Sequence, residues 1–350
     1  MRIVDAALTP YRLPFATPWR SAVGLWHERR GWLIRITDQS GRCGYGDAAP
    51  LPASGTETLS EAKPWLDAQL TTLIGAMPEP ACRQLPTGCP AARCGLETAL
   101  LDLQSKQQAL PLYRLLGGRD IHPVRINAAI GALDQQAGGR AVAAVAAGYS
   151  ILKLKLGCSP IKTELSQLQR LCSQLPGEVR LRLDANRAWQ LDEAANLIEK
   201  LNHLPIECLE EPLHEPTPQG LKALQSLARF DLALDESLPR YIRAQQLQPL
   251  PVKRIVVKPA CLGGLVPALT LVGQAHQSAV ACVITSSLES SAGLWPLCHL
   301  SATADALTTP AVHGLATSHW FSHDLGTPPV IANGRVTLGS EPGTGFILKA

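Results

Sequence analysis

The protein has 350 residues, of which 46% are hydrophobic and 17% are charged. A chain of this length and composition can bury a large core, and it is not a disordered protein. Its formal net charge is only +3, and no block of like charges is present. This charge pattern argues against a nucleic-acid partner and favours a small-molecule one.

Neither export nor a membrane span is expected. The first ten residues lack the continuous apolar segment of a secretory signal. Residues 259–288 contain no Asp, Glu, Lys or Arg, but Pro267, Gln274 and His276 interrupt the stretch. Because no long, uniformly apolar window remains, we predict a buried helix followed by a buried strand there.

The ten cysteines are scattered along the chain. The tightest group, Cys82, Cys89 and Cys94, lacks the paired Cys-x-x-Cys spacing of a zinc site. We therefore expect reduced thiols without a functional role, a cytoplasmic location and no obligate protein partner.

The N-terminal third has the pattern of an α+β domain, which we place at residues 1–118. Residues near 2–13, 32–37 and 43–46 are typical of antiparallel strands, and residues 38–41 are typical of a turn. A helix is predicted at 91–108. The Gly- and Pro-rich tail, residues 326–350, is predicted to pack back on this domain.

From residue 150 onward, short β-rich runs recur roughly every 23 to 30 residues, each followed by a helix-length segment. One βα unit has this period, so the series predicts an α/β fold with a parallel barrel at residues 119–325. The predicted strands are 151–156, 179–184, 206–210, 232–235, 254–258 and 280–285, with 124–130 and a weaker run at 311–314 completing the ring.

Three acidic residues lie at the ends of successive predicted strands: Asp184, Glu210 and Asp235. Carboxyl ends of parallel barrel strands meet at one face, so these carboxylates should converge. A single Asp at a strand end is more often a helix cap or a turn residue. Three in register instead favour a site for a hard cation, Mg²⁺ or alternatively Mn²⁺.

Basic residues flank this acidic series. Lys153 and Lys155 are two positions apart and should share one face of a strand, and Lys258 should enter the cavity from the opposite side. An edge strand with solvated lysines is the alternative, but the apolar neighbours of the first two lysines indicate burial. A lysine beside a second amine and a metal ion can act as a base near neutral pH. Arg182 should point inward one layer below Asp184, as a countercharge.

The segment 285–293 after the last full strand is short, polar and ends in Gly. It is either an ordinary βα loop with an N-capping serine or a cradle whose free backbone amides bind a carboxylate. Both interpretations remain open. The residues that we predict to contact substrate are Asn186, Ser286, Ser287, Glu289 and Ser290.

Several segments together resemble the muconate lactonizing enzyme subgroup of the enolase superfamily, and within it the o-succinylbenzoate synthases of gamma-proteobacteria. The pattern is Lys-x-Lys, then Asp, Glu and Asp on successive strands, then Lys. The matching segments are 181–189, 209–212, 235–237, 257–259, 286–291, 44–47 with 50–52, and 313–315.

The resemblance implies a (β/α)₇β TIM-like barrel closed by an α+β capping domain built from the N-terminal third and the tail. It also implies that Asp184, Glu210 and Asp235 bind Mg²⁺. Lys155 would remove the proton α to the substrate carboxylate and then assist departure of hydroxide. Lys153 would set the pKa and orientation of that lysine, and Lys258 would stabilise the enolate from the other face.

The implied reaction is the dehydration of 2-succinyl-6-hydroxy-2,4-cyclohexadiene-1-carboxylate to 2-succinylbenzoate in menaquinone biosynthesis, through a metal-stabilised enediolate. An α-proton of a carboxylate is too weakly acidic for a side chain unless the resulting charge is stabilised, which a metal ion can do. The chain would thus be a hydro-lyase acting on a small carboxylate.

Two alternatives remain. An N-succinylamino acid racemase or another muconate-cycloisomerase-like enzyme would use the same lysines, and a metal-free barrel could serve as a binding or scaffolding protein. Residues 314–321 lack the Asp-x-Asp motif of dipeptide epimerases, and 280–286 lack the histidine base of the mandelate racemase branch. Both absences favour the synthase. In the segment 27–31, expected over the active site, no residue receives a role.

Overall fold

The N-terminal residues form an antiparallel sheet of three strands. In the computed structural model, which describes residues 1–21, 24–243 and 249–349, β1 (Ile3–Ser21) pairs with β2 (Gly24–Asp38), and β2 pairs with β3 (Cys43–Ala48). Asp38 closes the turn between β2 and β3, because its Oδ1 accepts from the backbone N–H of Ser40 at 2.8 Å. The predicted strands and turn are confirmed, although β1 and β2 extend well beyond their predicted ends.

Four helices follow this sheet: α1 (Leu59–Leu73), α2 (Pro78–Arg83), α3 (Pro90–Gln107) and α4 (Leu112–Leu115). The predicted helix at 91–108 is confirmed as α3. This helix lies directly against β3, where a Cβ on Gly46 would be 1.9 Å from the carbonyl oxygen of Gly95. Only glycine permits so close an approach between strand and helix backbones.

The rest of the chain is dominated by a seven-stranded parallel sheet. Its strands are β5 (Ala128–Ala132), β6 (Ile151–Lys155), β7 (Arg180–Asp184), β8 (Ile206–Glu210), β9 (Asp231–Leu234), β10 (Arg254–Val257) and β11 (Ala281–Ile284). They lie side by side in the order β11-β10-β9-β8-β7-β6-β5. Short strands β4 (Val124–Ile126) and β12 (Val312–His313) pair in parallel with each other. Gly314 donates its N–H to Ile284 O at 2.9 Å, which links the end of β12 to β11 and curls the sheet into a barrel.

Helices connect the successive parallel strands, as a barrel of βα units requires. They are α5 (Ala137–Ala146), α6 (Ile161–Cys172), α7 (Leu191–Leu201), α8 (Pro218–Leu227), α9 (Leu238–Arg243), α10 (Pro259–Leu262), α11 (Leu265–Gln277) and α12 (Ser291–Leu307). The barrel prediction is confirmed. The uncharged stretch 259–288 forms two helices, α10 and α11, before β11, where one was predicted, and α11 is buried on one face only, with Val266 exposed. Among the described residues, no helix combines the length and apolar character needed to cross a bilayer.

The C-terminal tail contacts both parts of the chain. Its strand β13 (Arg335–Val336) is antiparallel to β4. Further along, Leu112 at the start of α4 donates its N–H to Gly343 O at 2.8 Å, and Thr344 donates its N–H to Asp102 on α3 at 2.8 Å. The tail therefore packs on the barrel as well as on the N-terminal domain, and the division into residues 1–118, 119–325 and 326–350 stays a proposal.

Candidate active site

Three carboxylates converge at the carboxyl ends of neighbouring barrel strands. Asp184 and Glu210 are the last residues of β7 and β8, and Asp235 directly follows β9. Each offers an oxygen within 4.8 Å of the others. Their exposed fractions are only 0%, 1% and 7%. Three buried carboxylate oxygens form the donor set that Mg²⁺ or Mn²⁺ prefers, so these residues fit a divalent hard cation.

Three lysines surround the acids from two sides. On one side, Lys153 and Lys155 of β6 both contact Asp184, at 3.0 and 2.7 Å from its Oδ2, and Lys153 also contacts Glu210. On the other side, Lys258 at the end of β10 lies 2.7 Å from Asp235. The residues that the sequence singled out are therefore brought together around one point.

Charge compensation within this cluster shifts several pKa values. Burial lowers the pKa of Lys153, but the carboxylates of Asp184 and Glu210 outweigh this effect and raise it above its usual range. Burial likewise lowers the pKa of Lys258, and Asp235 reverses the direction. Burial would raise the pKa of Asp184, whereas the two ammonium groups of β6 bring it below its ordinary value. A divalent cation between the acids would repel these ammonium groups and favour their neutral forms.

A further carboxylate, that of Glu211 directly after β8, is hydrogen-bonded to the segment that carries Asp235. Glu211 accepts hydrogen bonds from the backbone N–H of Asp235 at 2.6 Å and from the N–H and hydroxyl of Ser237 at 2.9 and 2.7 Å. Its φ of +44° lies in the left-handed region, where non-glycine residues are strained. Burial raises the pKa of Glu211 to about 8, and the nearby Glu236 adds to this increase. Sequence reasoning missed this residue, although two glutamates at the end of an apolar strand were a signal.

Asn186 lies beside the lysine that we expect to be the base. Its Oδ1 accepts from Lys155 Nζ at 2.8 Å, and its backbone N–H donates to Asp184 Oδ1 at 3.1 Å. Its φ of +45° is also in the left-handed region. The residue thus borders the acidic cluster, and its contact with substrate stays a prediction.

The expected countercharge below the acids is present. Arg182 is fully buried, and its Nε lies 3.9 Å from Glu210 Oε1. Its closer partner is Glu207, whose Oε2 accepts from Nε at 3.0 Å. The inward orientation of Arg182 is confirmed, and its charge is shared between two carboxylates of β8.

The loop after β11 differs from the free-amide cradle that we considered. Four N–H groups of this loop donate within the chain. Ser286 donates to Gly314 O at 3.1 Å, and Leu288 donates to Ser286 Oγ at 3.0 Å. Ser287 donates to Glu289 Oε2 at 2.6 Å, and Ser290 donates to Asp47 Oδ2 at 2.7 Å. The cradle of free amides is therefore wrong at these positions, because side chains and backbone of the chain itself satisfy them. Side-chain contacts of Ser286, Ser287, Glu289 and Ser290 with substrate stay predictions.

The sequence matches two family models that together cover most of the chain. Residues 3–117 match the model described as "Mandelate racemase / muconate lactonizing enzyme, N-terminal domain". Residues 137–350 match the one described as "Enolase C-terminal domain-like".

Curated relatives include enzymes of two kinds. The o-succinylbenzoate synthase of Yersinia enterocolitica is 32% identical to the chain over 318 residues, which span 89% of this chain and 90% of that protein. The L-Ala-D/L-Glu epimerase of Bacillus subtilis is 27% identical over 321 residues, which span 88% of this chain and 87% of that protein. These identities are too similar to separate the two activities.

A solved structure has the same architecture. The dipeptide epimerase from Cytophaga hutchinsonii, complexed with Mg and the dipeptide D-Ala-L-Val, matches with a TM-score of 0.86 and 21% identity over 100% of this chain and 96% of that one. At this identity the likeness concerns the fold alone.

Proposed function

The chain belongs to the enolase superfamily, and from this membership we propose that it is an o-succinylbenzoate synthase. It would convert 2-succinyl-6-hydroxy-2,4-cyclohexadiene-1-carboxylate into 2-succinylbenzoate and water, a lyase reaction of menaquinone biosynthesis. A cytoplasmic location and a small carboxylate substrate are parts of this proposal.

The observation that carries the proposal is the placement of lysines on both sides of the three acids. Lys155, on β6, and Lys258, directly after β10, lie 2.7 Å from Asp184 and Asp235 respectively. A substrate carboxylate held at the acids would therefore have its α-carbon between two amines. This arrangement allows one amine to remove the proton next to the carboxylate while the other stabilises the charge that develops.

The acids would hold the cation, and the lysines would move the protons. Asp184, Glu210 and Asp235 would bind Mg²⁺, with Mn²⁺ as an alternative, and the bound ion would stabilise negative charge on the substrate carboxylate. Lys155 would take the α-proton and return a proton to the departing hydroxide, so that water leaves. Lys153, bonded to the same acid, would set the charge state of its neighbour.

Lys258 would act from the opposite side of the substrate. Its ammonium group would stabilise the charge that develops while Lys155 holds the proton. Dehydration needs proton transfer on one face only, so a single base suffices. The loss of water produces an aromatic ring, which makes the reaction favourable.

The region after β12 favours a substrate without an ammonium group. Residues 314–323 contain no Asp or Glu. The first acid beyond them, Asp324, already accepts from the N–H and the hydroxyl of Ser291, at 2.9 and 2.8 Å. A dipeptide's free amine would lack a carboxylate partner in this region, whereas the succinyl substrate carries no amine.

An N-succinylamino acid racemase is the second candidate. The lysines on opposite sides of the acids favour it, because racemisation needs one base for each face. This substrate class also lacks a free amine, so the region after β12 does not separate it from the synthase substrate. Other muconate-cycloisomerase-like activities share the same arrangement.

A turnover assay tests the proposal. The purified protein with Mg²⁺ is mixed with the cyclohexadiene acid, and the aromatic product is followed by absorbance and mass spectrometry. Parallel reactions contain N-succinylamino acid enantiomers or L-Ala-L-Glu in D₂O. Rapid dehydration with slow or no exchange in the parallel reactions is expected. Efficient racemisation without dehydration would refute the synthase assignment.

Magnesium titration by calorimetry tests the remaining alternative of a metal-free binding or scaffolding protein. We expect saturable uptake by the wild-type protein and its loss in Asp184→Asn. Absence of uptake in the wild type would revive that alternative.

A further inference from the structure

We propose that Arg29 and Asp47, both on the capping domain, are positioning residues that fix the loop 285–290 beside Lys258. The inference rests on the proposed function, since it concerns the same active site. Sequence reasoning gave neither residue a role.

Arg29 joins the two domains through backbone carbonyls. It lies on β2 and is only 3% exposed. Within the capping domain, its Nη2 and Nη1 donate to Ala49 O at 2.7 Å and to Pro50 O at 2.8 Å. Across the domain boundary, its Nε donates to Leu288 O at 3.1 Å and its Nη2 to Ser287 O at 3.3 Å. One buried guanidinium thus holds the loop carbonyls to the end of β3, and the fork of five donors makes this geometry specific to arginine.

Asp47 holds the other end of the same loop. Its Oδ2 accepts from both the N–H and the hydroxyl of Ser290, each at 2.7 Å. Its Oδ1 accepts from Tyr11 Oη at 2.6 Å, which orients the carboxylate. Ser290 is the N-cap residue of the 17-residue helix α12. A carboxylate at a helix N-terminus is favourable, so the acid of the capping domain also stabilises this helix of the barrel.

The two charges complement the polarity of the loop. The carbonyl oxygens of Ser287 and Leu288 face the guanidinium of Arg29. The N–H of Ser290 faces the carboxylate of Asp47. Leu288, between them, has a φ of +62°. A leucine in the left-handed region is strained and persists only where surrounding contacts impose it. The cap therefore imposes the loop conformation.

The loop begins beside Lys258. Thr285, its first residue, donates its N–H to Val257 O at 3.0 Å, and Val257 directly precedes Lys258. The backbone of the loop is therefore attached to the strand end that carries this lysine. A displacement of about 1 Å at such a position can cost about 100-fold in rate.

The test compares Arg29→Met with Arg35→Met. The control residue lies on the same strand, but it is exposed and pairs with Asp5 at 3.1 Å. For Arg29→Met we expect kcat/KM for the cyclohexadiene acid to fall about 10- to 100-fold, with Mg²⁺ affinity within about twofold of wild type. The control should match the wild type in both measurements.

Chemical rescue separates positioning from general structural support. Ethylguanidinium added to Arg29→Ala should raise its rate severalfold, whereas ethylammonium should not, because it lacks the planar fork of donors. If Arg29→Ala fails to fold, Arg29→Lys takes its place in the test. The single ammonium group of the lysine cannot span both pairs of carbonyls, so this variant should fold but have a lower kcat/KM. Wild-type kinetics in Arg29→Met, in Arg29→Ala or in Arg29→Lys, or a rate loss matched by an equal loss of Mg²⁺ affinity, would overturn the proposal.

Amide hydrogen exchange gives a readout that does not depend on the reaction. In the Mg²⁺-loaded wild type, the amides of 286–290 should be protected, and in Arg29→Met they should exchange at least tenfold faster while α3 is unchanged. If the wild type fails to dehydrate the acid but the loop still loosens, the proposed function fails and the role of Arg29 in holding the loop survives. Unchanged exchange in 286–290 would refute that role even in an active synthase.

Discussion

Lys155 and Asp184 are directly paired across the neighbouring parallel strands β6 and β7, and the lysine Nζ donates to the carboxylate Oδ2 at 2.7 Å. Glu210 is the next residue in the same register, on β8. The amine and two of the proposed metal ligands are thus fixed by strand pairing rather than by mobile loops. Rigid strand ends hold catalytic groups with the precision that proton transfer requires.

Replacing Lys155 with Ala should remove the base and leave the metal ligands intact. Because a positioned general base contributes about 10²- to 10⁴-fold, kcat for dehydration should fall by that factor. Calorimetry should show Mg²⁺ binding at least as tight as in the wild type, because one competing ammonium group is gone. Lys162→Ala, on the exposed face of α6, is the matched control. Retained turnover in Lys155→Ala would refute the assigned role.

Lys258 should stabilise charge without removing a proton in a dedicated synthase. In D₂O, the wild type should therefore exchange deuterium into one enantiomer of an N-succinylamino acid at most, the one whose α-hydrogen faces Lys155. Proton NMR of the α-position measures this. Exchange into both enantiomers, with one of them lost in Lys258→Ala, would instead identify two bases and the racemase.

Local patterns predicted the centre of the site because its geometry follows from strand periodicity. Alternation along β6 put Lys153 and Lys155 on one face, and the carboxyl ends of β7, β8 and β9 brought the three acids together. These relationships depend on residues two apart or on equivalent positions in successive βα units. A sequence shows both directly.

Contacts between distant segments were not predictable in this way. Arg29 reaches Ser287 O across 258 residues, and Asp47 reaches Ser290 across 243. No local period connects such positions, so the sequence left open whether the amides of this loop were free or bonded. The full length of β1 was not predictable for a related reason: its pairing with β2 shifts register between Pro14 and Trp19, and such an irregularity interrupts the alternation that marks a strand in the sequence.

Glu211 should influence metal binding through Asp235. Replacing Glu211 with Ala removes the acceptor of three hydrogen bonds from Asp235 and Ser237. Loss of such outer partners typically costs about 10- to 100-fold in metal affinity, and calorimetric titration with Mg²⁺ should show a reduction of this size. Glu215→Ala, at an exposed position of the following loop, should bind Mg²⁺ like the wild type. Equal affinity in the two variants would show that Asp235 needs no support from Glu211.

Glu289 should make the folded state less stable as pH rises toward neutrality. Burial raises its pKa from the ordinary 4.5 to about 7, Asp47 adds to the increase, and Arg29 opposes it. The unfolded chain therefore releases this proton at a lower pH than the folded chain does. Because the folded state binds more protons between these two values, its free energy of unfolding decreases as pH rises from about 4.5 to about 7, by about 3 kcal/mol at most.

Glu289→Gln removes this titration and keeps an oxygen that can accept from Ser287. Relative to the wild type, the variant should gain up to about 3 kcal/mol in free energy of unfolding between pH 4.5 and pH 8, measured by urea denaturation of the metal-free protein. Glu199→Gln, at an exposed position of α7, should show a difference from wild type that is constant across this pH range. A constant difference for Glu289→Gln as well would mean that the buried carboxyl ionises at its ordinary pH, with Arg29 and the loop amide offsetting its burial.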